Sequence, residues 1–208
     1  MNLRSKEAAR YLGYGNYAVD QKTELMIQES FQELELIAKP KFVYGVYPLK
    51  FQENTSVLIE TLKIESKDLC KNLLGCREVV VFGATLGTEV DRQLRKYEVV
   101  NIARAVVFQA CAAAYLEAYC DEIQSGFGKE NTRPRFSPGY GDFSLGYQKL
   151  IFQLLETSKR IGLSMTEASM LVPTKSVTAI IGIHDIEEKC QKSGCEICNN
   201  TDCAFSRR

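Results

Sequence analysis

Eleven residues, RPRFSPGYGDF at 133–143, hold two arginines, two prolines, two glycines and three aromatic rings. Proline and glycine at that density exclude a helix interior or a central strand, so the segment is a loop. A plain loop has no need of so much aromatic surface. Arg135 can grip a carboxylate through two parallel hydrogen bonds, Tyr140 can offer a π face to a cation, and Gly139 lets a ligand come close to the backbone. That set suits a zwitterion with an additional positive centre. S-adenosylmethionine, with a carboxylate, an ammonium and a sulfonium, is such a molecule.

Half of the chain's eight cysteines gather near its end, where Cys190, Cys195, Cys198 and Cys203 form C-x4-C-x2-C-x4-C. Four thiolates so close can surround zinc or hold an iron–sulfur cluster, and a stretch nearly devoid of large apolar residues has little other means of ordering itself. The alternative is a reduced tail without a metal, since the spacing matches neither the common zinc fingers nor the common ferredoxin runs. Cys70, Cys76, Cys111 and Cys120 sit in apolar or helical surroundings and read as small core residues. His184 is the one histidine. It cannot build a histidine-rich metal site and reads as a structural residue near a strand end. The turn FGATLGTEV could cradle a phosphate at a helix N-terminus. The P-loop lysine is absent, however, and Gly83 and Gly87 do not fit G-x-G-x-x-G, so these glycines read as steric.

The elements that must position these residues are legible from periodicity. A short helix runs from a Ser5 cap to Tyr14, with Gly13 past its end. A second starts after Asp20, aligns Ile27, Phe31, Leu34 and Ala38 on one face, and stops at Pro40. FVYGVYPLKF and SVLIETLKI read as strands, SKDLCKNLLG as a helix ending at Gly75, and CREVVVFGATLG as a buried strand. The stretch 88–124 is mostly helical. Beyond the motif, 145–163 is an amphipathic helix with Leu150, Leu154 and the region of 161 on one side, ended by Gly162. Ser164 and Glu167 have capping-box spacing, and SVTAIIGIH is a strand. No clean βαβ rhythm appears, which favours an α+β domain with a mixed or antiparallel sheet packed by helices over residues 1–188, followed by a Cys-rich tail at 189–208.

With 208 residues and 26 basic against 26 acidic side chains, the chain is long enough for one sizeable core and has no overall field to draw it to nucleic acid or an anionic membrane. No apolar run approaches the roughly 20 residues that span a bilayer, and no secretory signal is visible at the N-terminus. The expected location is the cytosol.

RFSPGYGDF resembles the Arg-x-x-Pro-Gly-Tyr signature of the activation domain of cobalamin-dependent methionine synthase. GLSMTEASMLVPTKSVTAIIG is similar to a segment of the same family, and together they cover about residues 105 to 182. RYLGYG and ATLGTEVD look like its free-standing form. The resemblance implies that Arg135, Ser137 and Tyr140 line an S-adenosylmethionine site, with Gly139 as the close-approach glycine and Glu117, on the preceding helix, as its acidic residue. The family usually has proline at position 136 and alanine at 137. A further family aspartate has no counterpart here, since a helix cap accounts for Asp20.

What the resemblance implies is repair: inactive cob(II)alamin is reduced by one electron and methylated from S-adenosylmethionine. This chain resembles no cobalamin module. It would therefore act in trans on a cobalamin-binding methionine synthase subunit or another corrinoid protein, with a flavodoxin-like electron donor. The alternative is a non-catalytic binding or sensor module that uses a metal-binding cysteine tail.

Overall fold

The computed structural model describes residues 3–15, 17–52, 55–128 and 131–184. The tail at 189–208, with Cys190, Cys195, Cys198 and Cys203, lies outside the described residues. Five strands form an antiparallel sheet: β1 (Lys41–Gln52), β2 (Ser56–Ile59), β3 (Leu62–Glu65), β4 (Cys76–Thr85) and β7 (Ser176–His184), in the order β3-β2-β1-β4-β7. The expected choice between mixed and antiparallel is thereby decided. β1 pairs with β4 through Lys41–Pro48 and with β2 through Leu49–Gln52.

From Val79 to Ala84 β4 is apolar without alternation because both of its faces are covered there. Val80, Phe82 and Ala84 join Ala179 and Ile181 of β7 in one core, against α1 (Leu3–Tyr11), α2 (Gln21–Ile37), α4 (Thr88–Val100) and α5 (Ile102–Ser125). Val79, Val81 and Ile180 face the other core, against α3 (Lys67–Asn72), α6 (Gln148–Leu155) and α7 (Thr157–Ile161). No helix among the described residues is long and apolar enough to cross a membrane.

Several local expectations need correction. α1 begins at Leu3, so Ser5 is a buried helical residue rather than a cap. The stretch 88–124 is mostly helical as expected, but in two helices, because Asn101 leaves the helical region (φ −162°, ψ 91°) and its side chain accepts from Arg104 N at 3.1 Å, starting α5 afresh. The stretch 145–163 breaks at Glu156, which is left-handed (φ 50°). In α6 the buried face is Gln148, Ile151 and Leu155, whereas Leu150 is 41% exposed. Ser164 and Glu167 cap nothing: β5 (Ser164–Met165) pairs with β6 (Leu171–Val172) in a small hairpin whose turn includes Ser169 at φ 61°.

Other expectations hold. Asp20 caps α2 by accepting from Thr23 N at 3.0 Å, and hydrogen bonds from Thr23 and then Tyr14 hold its carboxyl at about 2. Cys70, Cys76, Cys111 and Cys120 are buried, and desolvation pushes Cys111 and Cys120 up to about 12. Cys111 and Cys120 are therefore poor nucleophiles. His184 is buried at the end of β7. At Gly87 (φ 88°) an added Cβ would lie 3.4 Å from the Lys39 carbonyl, which accounts for that glycine sterically.

Candidate functional site

Residues 132–136 run as a rail along the outer edge of β7. Arg133 N donates to Gly182 O at 2.8 Å, and Phe136 and Ile180 exchange two bonds at 2.9 Å each. Pro134 is tolerated because its missing N–H falls on an edge segment. Alternation along an extended chain puts Phe136 toward the α3, α6 and α7 side and Arg135 toward α5.

There Arg135 meets three side chains of α5. Its Nη1 donates to Gln124 Oε1 at 2.9 Å, and its Nη2 donates to Glu117 Oε2 at 2.9 Å and Asp121 Oδ1 at 2.7 Å. Glu117, Asp121 and Gln124 recur at i, i+4 and i+7, so one helical face presents all three. Gln124 also donates to Thr132 Oγ1 and Arg133 O, both at 3.1 Å, and so holds the rail to the helix. Desolvation works against the guanidinium charge of Arg135. Glu117 and Asp121 more than offset it, holding the group above its ordinary range. With one cation against two carboxylates, the cluster is net negative.

After the rail the chain turns twice. Tyr140 N donates to Ser137 O at 3.0 Å, with Pro138 and Gly139 (φ 96°) as the central residues, an arrangement that meets the demands of a type II turn. Phe143 N then donates to Tyr140 O at 2.9 Å while Gly139 N donates to Phe143 O at 2.7 Å, closing the loop. Ser137 is buried, and Tyr140 is 54% exposed with its ring edge-on to Phe136 at 5.9 Å between centroids. Phe136 stacks on Phe143 at 6.2 Å, and Phe143 lies 5.7 Å from Tyr147. The aromatic surplus is thus shared between a buried anchor, Phe143, and an exposed ring.

Asp142 fastens this loop to the start of α3. Its carboxylate accepts from Ser66 Oγ at 2.5 Å, Lys67 N at 2.8 Å and Asp68 N at 3.1 Å. Desolvation raises its pKa, and these hydrogen bonds, that of Ser66 first, outweigh it and hold the carboxyl below its ordinary range. A lowered pKa in the folded state gives stability that is complete above the unfolded value near ~3.9 and lost as pH falls through the folded value. Asp142→Ala should therefore cost about 1 kcal/mol at neutral pH, at the modest end for a helix cap because the group is solvent-exposed. Urea midpoints check it: the gap between wild type and variant should be present near neutrality and shrink in acid.

The structure joins Arg135 directly to Glu117 and sets Ser137, Gly139 and Tyr140 in the turn that follows. It adds Asp121 and Gln124, whose helical spacing from Glu117 was the signal available in the sequence. A shallow groove of about 650 Å³, lined among others by Gln52, Lys63, Ser66 and Lys67, touches the motif through Asp142 and not through Arg135. The half-buried, oriented guanidinium is the better guide to chemistry than that open surface. Among the described residues no group of three or more His, Cys, Asp or Glu could hold a metal ion.

Two stretches quoted for their resemblance meet elsewhere. Asp91, buried on α4, accepts from Thr174 N at 2.8 Å and Thr174 Oγ1 at 2.7 Å, and Ser176 Oγ donates to Thr85 Oγ1 at 2.8 Å. ATLGTEVD and VPTKSV thus tie the ends of β4 and β7 together.

No protein-family model matches this sequence, and no curated protein matches it. Among solved structures, the MetH reactivation domain bound to AdoHcy superimposes with a TM-score of 0.62 at 16% identity, covering 89% of this chain and 78% of that one. The chain has the fold of that reactivation domain.

Proposed function

We propose that the chain binds S-adenosylmethionine at Arg135 and serves in trans as the reactivation component of a cobalamin-dependent methionine synthase. The observation that supports this reading most is the oriented Arg135–Glu117 pair on the edge rail, in the fold of a domain solved with AdoHcy. Arg135 supplies a forked donor for the ligand carboxylate, and Glu117 an acceptor for its ammonium. The Pro138-Gly139 turn keeps side chains away from the ligand's path, and Tyr140 offers an exposed ring to the adenosine or the sulfonium. When bound, S-adenosylmethionine would supply a methyl cation equivalent, leaving as S-adenosylhomocysteine, to a partner corrinoid that one electron from a flavodoxin-like donor had taken from cob(II) to cob(I). This chain's own contribution is orientation, holding the sulfonium toward a partner docked at the site.

The test mixes the chain with a corrinoid-loaded partner, a one-electron reductant and S-adenosylmethionine labelled in its methyl group. Label should reach the partner with the wild-type chain and not with Arg135→Ala. Ligand binding without any transfer would replace this reading with that of a non-catalytic sensor module.

A further inference from the structure

Resting on the reading of Arg135 as the carboxylate site, we infer that Asp121 is a built-in competitor for that site, a carboxylate the ligand must displace to reach the guanidinium. Both N–H groups of Nη2, the nitrogen common to the two forked edges of the guanidinium, are already taken. Nη1 is bonded to Gln124, and Nη2 is shared by Glu117 and Asp121. A ligand carboxylate cannot add a forked pair of bonds without breaking one of these.

Exposure decides which partner leaves. The Asp121 side chain is 64% exposed, against 33% for Glu117, and the Arg135 side chain is 16% exposed. On release Asp121 recovers hydration at almost no cost, because it is already mostly in water. Glu117 would give up a more sheltered position. Gln124 is held by a second role, since its amide nitrogen donates to Thr132 and Arg133 while its oxygen accepts from Arg135. Rotating it out would free the rail as well.

The exchange replaces one carboxylate by another on the same guanidinium while Glu117 stays in place, so the balance of charge around Arg135 is the same before and after it. Asp121 is in this sense a positioning residue: in the absence of ligand it keeps the guanidinium turned toward α5. It also sets specificity, because only a ligand carrying a carboxylate in the right place competes with it.

The test is calorimetric titration of the full chain and of Asp121→Ala with S-adenosylmethionine and with 5′-methylthioadenosine, a related nucleoside thioether that lacks the amino-acid group. Alanine is a good residue for this exposed helical position, so the variant should fold. Removing the competitor should tighten S-adenosylmethionine about two- to fivefold, the worth of an exposed ion pair, and leave methylthioadenosine unchanged. Asp121→Asn, which keeps an acceptor without the charge, should fall between. Equal or weaker S-adenosylmethionine binding by Asp121→Ala, with wild type binding normally, would overturn the exchange alone. Equal tightening of both ligands would overturn it too, since a competitor for the carboxylate cannot act on a ligand without one. Absence of binding by wild type and variant alike would overturn the reading of Arg135 itself, and the exchange with it.

Discussion

Arg135→Ala is expected to weaken S-adenosylmethionine binding by about 10- to 150-fold, the equivalent of the roughly 1.5–3 kcal/mol that a hydrogen bond to a charged group is worth. Two effects act together. The ligand carboxylate loses its forked donor, and Glu117 and Asp121, now without their cation, present it with two negative charges. The fold should survive the change. The rail is fastened by backbone bonds from Arg133 to Gly182 and between Phe136 and Ile180, none of which needs the Arg135 side chain. Arg135→Lys should recover only part of the affinity, because an ammonium restores charge but not the fork. Titration calorimetry gives the ratio, and an unchanged urea midpoint would separate loss of site from loss of structure.

Gly182→Val should be the most destabilising of the substitutions considered, by about 1–3 kcal/mol or more, and should damage the site from a distance. A Cβ at this position would stand 2.5 Å from Cys76 Sγ, 2.9 Å from Leu73 Cδ2 and 3.0 Å from Arg133 Cγ. The first two belong to buried residues of the sheet and α3 side, which have little room to retreat. The third belongs to the rail, whose Arg133 N–H is bonded to the carbonyl of this same Gly182. Relief of the clash therefore moves the segment that carries Arg135. Cys76→Ala in the same chain should restore part of the stability by opening the nearest contact. Denaturation midpoints of the single and double variants check the coupling; equal midpoints for Gly182→Val and wild type would show that the space is not needed.

Much of this arrangement could be read in the sequence because it is local. The period of α2, the uniform apolarity of β4 and the Pro-Gly pair of the type II turn each follow from nearest-neighbour chemistry. Three features were hidden for a common reason. The break at Asn101 depends on one side chain accepting from the Arg104 N–H, within a stretch whose helix propensity runs through it. The hairpin at Ser164–Val172 has capping-box spacing, and the pairing of its two short strands joins residues that are separate in the sequence. In α6 the apolar stripe admits two faces, and only the position of the sheet selects Ile151 and Leu155 over Leu150.

The site divides in the same way. Arg135, Gly139 and Tyr140 are marked by their dense local motif, and Glu117 came through resemblance. Asp121 and Gln124 became visible when the rail was placed against α5, since nothing in the motif points across the 11 to 14 residues that separate them from Arg135. The role of Asp142 likewise depends on Ser66, Lys67 and Asp68, more than 70 residues away in the chain.

Calorimetric titration of the unaltered 208-residue chain with S-adenosylmethionine tests the central claim most directly, with S-adenosylhomocysteine as the comparison. The predicted result is saturable one-site binding of S-adenosylmethionine, displaced by S-adenosylhomocysteine and lost in Arg135→Ala. A folded chain that takes up neither ligand, or one that binds both with Arg135 removed, would contradict it.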